Sequence, residues 1–544
     1  APVAALPALV LALAGPGQFT WDWFLLGSTF RLHPATSIWL FFTAALWCCA
    51  GWFGVYYLAD DARRARYTFY FLGAMTGNIG LVLAGDPIAF FAFFAMMSFL
   101  SYGLVIHDGR EESRRAGRVY LGMAILGEVL QFAALSLLVF PVIGNGEAVT
   151  FQSLEKSGDG LVVALVLGGY GVKAGLLGLH MWLPMAHPVA PTPASAVLSG
   201  SMIKAGLLGW ISLLPLGYID VDMAAAGHVV MAMGLAGAVL AALAGAVQVH
   251  PKAVLAYSSV SQMGLMIGAV GVAMAAPRIA YVLQWIIVLY VVHHGVAKCL
   301  LFLSVGLKAA TAGRGARWNA LFWSGTTVAA LALVGAPFTS GMVAKAAMKD
   351  ALANSGLEHA AMVVSVFSWA AVGTALLMVR FVMRLRAMPV DAHHAPAGGI
   401  WAPWVALLVL TITLTPYLYV KLLTELVIPL AAIGPSMKQV VPLAIGIGVY
   451  AGISWLWKTR KARALTVPPG DVWHVLAGLG RMRVRRNDGA SAPPDVASGA
   501  ASRWSGIIRF MAGLGRAEEQ LRVWRFGAVA FAVMASLLIL AALY

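Results

Sequence analysis

The sequence predicts an all-α, polytopic membrane protein of about 15 transmembrane helices, and three observations carry that prediction. Of the 544 residues, 61% are hydrophobic and only 11% are charged, with a mean hydropathy of +0.84; a soluble domain carries roughly 25% charged residues. The apolar residues fall into runs near the roughly 20 residues that a membrane-crossing helix needs. The Lys and Arg residues collect in the short connections between alternate runs, the asymmetry that fixes orientation in a bilayer.

In order, the apolar runs lie at about 2–15, 36–58, 67–85, 87–106, 118–140, 161–182, 190–213, 222–247, 252–275, 279–305, 318–354, 360–386, 401–422, 440–457 and 526–543. The run at 318–354 is too long for one helix, and Pro337 between Gly335 and Gly341 divides it. With the N-terminus inside, the basic connections at 59–66 (Arg63, Arg64, Arg66), 107–118 (Arg110, Arg114, Arg115, Arg118), 306–317 and 384–400 all become cytoplasmic. The acidic connections at 141–160 and 214–222 then lie outside. The net charge of +15 is explained by these loops facing anionic lipid and does not require a nucleic-acid partner.

Residues 458–525 form the one long segment without a membrane-length run. They hold thirteen Lys and Arg against five Asp and Glu, which places them in the cytoplasm. Within them Trp504, Ile508, Met511, Leu514, Leu521 and Trp524 recur at helical spacing among arginines. An amphipathic helix is predicted, lying on the membrane face or on a partner. Cys48, Cys49 and Cys299 fall inside apolar runs with no disulfide or metal spacing. No GxGxxG, Walker A or CxxC cluster is present, so no cofactor or metal is expected.

The stretch from Gly169 to Gly206 holds the chemistry. It places Lys173 and Lys204 in apolar segments on either side of Pro184, Pro188, Pro191 and Pro193, with His180 and His187 at the edges. The proline-rich part predicts a break between two helices, with Lys173 and His180 seven residues apart on a similar face of the first. Lys204 falls mid-span in the second. A charged side chain at the bilayer centre costs about 2.5–3.5 kcal/mol on insertion scales. Burial opposes the charged form of a lysine and a nearby carboxylate favours it, so a lysine balanced between the two loads and releases a proton. The plainer alternative, a lysine snorkelling from a helix end, does not suit mid-span positions; it does suit Lys252, at a helix start. Glu128, about ten residues into its run, is a matching mid-membrane acid. His294 and Lys298 are four apart on one helical face, beside His293, and Lys345 follows the Pro337 break. The alternative for the histidines is a satisfied interhelical hydrogen bond. A broken helix with a lysine occurs twice, at Lys173 and Lys345, a pattern that points to a repeated transporter architecture.

Four motifs in order, HMWLPMAHPVAPTPASAVLSGSMIKAG, HPKAVLAYSSVSQMG, HHGVAKCLLFLSVG and GAPFTSGMVAKAAM, resemble the antiporter-like subunits of respiratory complex I. That family also includes subunits of multisubunit cation/proton antiporters and of membrane-bound hydrogenases of the formate hydrogenlyase type. The resemblance covers roughly residues 36–420. It implies two inverted five-helix repeats, at 67–213 and 222–386, each with a broken helix. Around them lie N-terminal helices (1–66), peripheral helices (401–457), the basic segment (458–525) and a final span (526–544). It implies a proton path whose lysines fall on Lys173, Lys204, Lys298 and Lys345 and whose histidine falls on His294; with Glu128 and His180, read from the chain itself, the expected path is Glu128, Lys173, His180, Lys204, His294, Lys298 and Lys345. The family's key glutamate follows a tryptophan in the span matching FFAFFAMMSFLSYGLV, where this chain has Phe94, Ala95 and Met96; Glu128, one span later, is the acid available to replace it. The expected partners are other integral membrane subunits, the lipid bilayer and H+, with Na+ as the alternative ion, in a bacterial inner membrane. The expected function is a proton-translocating subunit of a larger energy-converting complex, with no catalytic chemistry of its own. The alternatives are a Na+/H+ antiporter subunit, the energy-coupling subunit of an inorganic-carbon uptake complex, or a structural scaffold.

Overall fold

The computed structural model describes residues 2–25, 27–145, 149–154, 158–311, 314–389, 398–422 and 437–459. The amphipathic segment and final span expected at 458–544 lie outside the described residues, apart from 458 and 459 at the end of the last described helix.

The described chain is a helical bundle. After a short α1 (Leu6–Ala14) come α2 (Pro34–Tyr57), α3 (Arg64–Leu83), α4 (Pro87–Val105) and α5 (Glu111–Gly144). A single turn, α6 (Phe151–Leu154), leads into the first interrupted set: α7 (Gly160–Ala174), α8 (Trp182–Val189), α9 (Thr192–Gly200) and α10 (Ala205–Leu213). Next follow α11 (Ala224–Ala246), α12 (Pro251–Ala275) and α13 (Ala280–Leu307), then the second interrupted pair, α14 (Ala316–Val334) and α15 (Ser340–Ala353). The last described elements are α16 (Ala360–Ala387), α17 (Trp401–Leu422) and α18 (Met437–Thr459). Among the described residues nine helical segments are long and apolar enough to cross a membrane, and three apolar helices are shorter.

One element departs from all-α. A β-hairpin pairs β1 (Gly17–Trp21) antiparallel to β2 (Ser28–Leu32), where Gln18-Phe19-Thr20 and Thr29-Phe30-Arg31 alternate polar and apolar residues. Asp86 ties this hairpin to the bundle. One carboxylate oxygen accepts from Thr29 N at 2.9 Å and the other caps α4 by accepting from Ala89 N at 2.8 Å.

The breaks differ from those that proline alone predicts. The first helix ends at Ala174, not at residue 182, because Gly175 takes a left-handed C-cap (φ 76°) and Gly178 is also at positive φ (88°). His180 therefore lies in the turn after the break, and the shared helical face with Lys173 is not formed. Proline enters later: Pro188 sits in the last turn of α8, and Pro193 opens α9. Lys204 is not mid-helix either. Ser201 leaves helical geometry (φ −120°), and a 3-10 turn, Met202–Lys204, joins α9 to α10. At the second break Gly335 repeats the left-handed cap (φ 86°), followed by Phe338 at φ 62°.

The centre of the bundle is formed by α12 and α13, whose membrane-length windows are wholly buried. The basic connections gather at one end. Arg63 and Arg66 donate to the backbone oxygen of His107, whose ring meets Asp61 at 2.9 Å. Arg380 donates to Gln248 O at 2.9 Å, which brings the end of α16 to the α11–α12 connection.

Packing of α11 on α12 relies on glycine. A Cβ on Gly271 would lie 2.4 Å from Met231 N and 2.6 Å from Gly227 O, and one on Gly234 would lie 2.5 Å from Gly268 N. Close backbone approach over small residues is how helices associate where lipid offers no hydrophobic drive. Gly271→Val is expected to lower thermal stability in detergent by about 1–3 kcal/mol or more. Gly448→Val, where an added Cβ meets nothing within 4 Å, serves as the control; equal melting of the two variants contradicts this packing account.

Candidate functional site

Four lysines of the expected path are buried: Lys173 (5% exposed), Lys204 (0%), Lys298 (0%) and Lys345 (7%). Each ammonium has an oxygen to donate to, and none of those oxygens belongs to a carboxylate. How the helices end explains most of these contacts.

Lys173 lies in the last turn of α7. Its Nζ donates to Tyr120 Oη at 3.0 Å, and Tyr120 donates in turn to Ser98 O at 3.0 Å. Three rings surround the ammonium, with centroids at 5.3 Å (Tyr120), 5.5 Å (Trp182) and 6.0 Å (Phe94), all within cation–π range. Trp182 Nε1 donates to Val172 O at 2.9 Å, a carbonyl that also accepts the Gly175 N–H of the C-cap at 3.3 Å. Phe94 lies, with Ala95 and Met96, in the span where the resembling family carries its acid. Glu128 (6% exposed) lies beside Ser98 and lines the same cavity as Phe94, Tyr120, Gln131, Lys173 and Trp182. That cavity has a volume of about 10 Å³, on the order of what one water needs. Glu128 and Lys173 form no direct ion pair, and Glu128 Oε2 has no hydrogen-bond partner among the described residues. Glycine permits this approach of α5 to α7, since a Cβ on Gly169 would lie 2.9 Å from Gln131 N.

Lys204 donates to Ser199 O, a carbonyl in the last turn of α9 opened by the change of geometry at Ser201. Ser201 Oγ and Trp47 Nε1 both donate to Asn78 Oδ1, the indole at 2.8 Å, which anchors the junction to α2 and α3. Lys298 donates to Leu255 O on α12 at 2.8 Å. Lys345 donates to Leu333 O at 2.7 Å and Val334 O at 3.0 Å, the last carbonyls of α14. These carbonyl ends carry the negative pole of the helix dipole, which favours a cation.

His294 is fully buried and within electrostatic range of Lys204, Lys298 and Lys345; neither ring nitrogen has a hydrogen-bond partner among the described residues. His293 meets Ser340 Oγ through Nδ1 at 3.0 Å, the interhelical bond of the plainer alternative, while its Nε2 is unpartnered there. His180 is 3% exposed in the turn between α7 and α8. No hydrogen bond among the described residues joins the Lys173–Tyr120–Ser98 set to Lys204.

Lys252 is not a snorkelling anchor. It is 7% exposed and donates inward to Ala190 O at 2.7 Å, just past α8. Sequence reasoning also missed Tyr120, eight residues before Glu128 on the same helical face, and Ser199 and Ser259, whose hydroxyls meet at 2.6 Å. It gave His187 no role, although that ring is fully buried, stacks on Phe302 at 4.5 Å and lies near Lys204, Lys252 and Lys298. A further set joins Thr374, Gln262 and Tyr290 through bonds of 2.9 Å.

Several known proteins are similar to this chain. Hydrogenase-4 component B of Escherichia coli is 28% identical over 317 residues, covering 55% of this chain and 45% of that protein. The putative antiporter subunit mnhA2 of Staphylococcus aureus is 26% identical over 314 residues, covering 54% and 39%. The matched region thus spans less than half the length of these relatives. Two solved structures share the fold. The Mrp complex from Dietzia sp. aligns with a TM-score of 0.62 at 19% identity, covering 84% of this chain and 91% of the other. The membrane-bound sulfane sulfur reductase, an archaeal respiratory membrane complex, aligns with a TM-score of 0.65 at 17% identity, covering 98% and 94%. The profile of the family described as NADH:quinone oxidoreductase/Mrp antiporter, transmembrane, matches residues 84–372. Over more than half its length, then, this multi-pass chain carries that profile, and it belongs to this family of antiporter-like membrane subunits.

Proposed function

We propose that this chain is a proton-translocating subunit of a larger energy-converting complex in a bacterial inner membrane. The observation that carries the reading is the set of four buried lysines held by carbonyl and hydroxyl oxygens without a carboxylate counter-ion. An ammonium so placed is costly to keep charged in a membrane interior, so each site accommodates both the loaded and the unloaded lysine. In this reading Glu128 modulates Lys173, protons pass between Lys173 and Lys204, and His294 and Lys298 relay them to Lys345. His180, beside the first break, serves the Lys173 end. The paired breaks at Gly175 and Gly335 support treating 67–213 and 222–386 as two inverted halves. The chain holds no redox motif, so the driving force comes from partner subunits, as the hydrogenase and antiporter names of the relatives suggest. Protons are favoured over Na+ because the buried acids among the described residues are Asp86, which caps α4, and Glu128, whereas a hard cation takes several oxygen ligands.

Two variants test this in the complex reconstituted into liposomes, with H+ flux driven by a K+/valinomycin diffusion potential. Lys204→Ala is expected to abolish flux while the complex still assembles; undiminished flux from an assembled complex means that a scaffold describes the chain better. Tyr120→Phe removes the hydroxyl that accepts from Lys173 but keeps the ring. A hydrogen bond to a charged group is worth about 1.5–3 kcal/mol, so flux should fall about tenfold or more. Wild-type flux in that variant removes the Tyr120 hydroxyl from the path.

A further inference from the structure

Between Lys204 and Lys298, the described residues form a set of hydrogen bonds linked through the residue Ser199. Lys204 donates to the backbone oxygen of Ser199 on α9. The hydroxyl of Ser199 meets that of Ser259 on α12 at 2.6 Å. Ser259 Oγ donates to Leu255 O at 3.0 Å, and Lys298 on α13 donates to the same Leu255 O at 2.8 Å. All four side chains are fully buried. Each lysine therefore docks on a carbonyl that belongs to, or is bonded by, one member of a single serine pair.

We propose that the Ser199–Ser259 hydroxyl pair positions Lys204 and Lys298 relative to one another and so couples the two halves of the chain. This rests on the proton-relay reading above. The pair does not itself conduct, because Lys204 meets the carbonyl of Ser199 and not its hydroxyl, and a carbonyl has no proton to pass on. It fixes distance instead. Ser199 lies on α9, at the end of the first half, and Ser259 on α12, within the second. Glycine also brings α9 against α13, the helix that carries Lys298: a Cβ on Gly295 would lie 2.6 Å from Gly200 O, so a side chain there would move the two helices apart. Ser201 holds the other side of the junction through Asn78. With α9 tied to α12 and to the α2–α3 pair, the carbonyl that receives Lys204 is fixed from two directions. Leu255 O is fixed as part of the α12 ladder. His294, near both lysines and without a hydrogen-bond partner among the described residues, is then the group across which the set distance matters.

The test uses the whole complex in liposomes, with H+ flux recorded from pH 6 to 9 for Ser199→Ala, Ser259→Ala, the double alanine variant, and Ser199→Cys and Ser259→Cys. Loss of one hydrogen bond should lower flux about three- to tenfold and move the pH of half-maximal flux. The double variant should lose no more than the worse single one, because the two hydroxyls act through one bond. Cysteine, similar in size and a weaker donor, should assemble as wild type and still move the pH profile; it decides the matter if an alanine variant fails to assemble. Unchanged pH profiles in assembled serine variants, or losses that multiply in the double variant, overturn the proposal. Lys204→Ala and Lys298→Ala, measured alongside, separate the two levels. If they abolish flux while the serine variants keep the wild-type flux and pH profile, the positioning role fails alone; if they too leave flux intact, the relay reading itself fails.

Discussion

The structure depends on how buried ammonium groups are satisfied where helices stop. A helix that ends inside a membrane leaves carbonyl oxygens that lipid cannot satisfy, and a lysine in the same place presents donors that lipid cannot satisfy either. Here each solves the other's problem. Lys345 closes the end of α14, Lys204 closes the end of α9, and Lys252 reaches the carbonyl just past α8. At the end of α7 the arrangement differs: Val172 O takes the Gly175 N–H and the indole of Trp182, and Lys173 turns to Tyr120. The negative pole of each half-helix offsets part of the cost of the cation without a full opposite charge to lock it in place. A buried carboxylate would hold the lysine charged more firmly, whereas carbonyl and hydroxyl acceptors leave room for a proton to depart.

The first half follows this logic with a chemical variation. In the span where the resembling family has its acid, this chain has Phe94, Ala95 and Met96, and the ring of Phe94 faces Lys173 and closes a cage with Tyr120 and Trp182. Glu128 lines the same small cavity from a neighbouring helix without touching the lysine. Lys173 is thus supported by ring faces and one hydroxyl, with a carboxyl group in the same cavity but not paired with it.

The polytopic helical class and the identities of the buried lysines were legible in the sequence, because intramembrane charge is rare and apolar run length is a strong signal. Helix ends were less so. Prolines drew the eye to 184–193, yet Gly175 and Gly178 end the first half-helix earlier, since a left-handed cap needs only glycine and no ring. The shared face of Lys173 and His180 failed for that reason. The 3-10 turn before Lys204 has no composition cue, because it depends on Asn78 reaching Ser201 from α3, a contact 123 residues apart in sequence. Lys252 was misjudged because its position at a helix start looks like an interface anchor until α8 is seen to end beside it. Hydroxyl partners such as Tyr120, Ser199 and Ser259 are common residue types in helices, and only tertiary placement distinguishes them.

The central claim is that the buried lysines carry protons and are not fixed structural charges. Electrical recording of the reconstituted complex on a supported membrane, driven by a pH step in sodium-free medium, tests it most directly. The account predicts a charge movement that persists without sodium and disappears in Lys298→Ala while the complex remains assembled. Charge movement that requires sodium, or that survives in that variant, would contradict it.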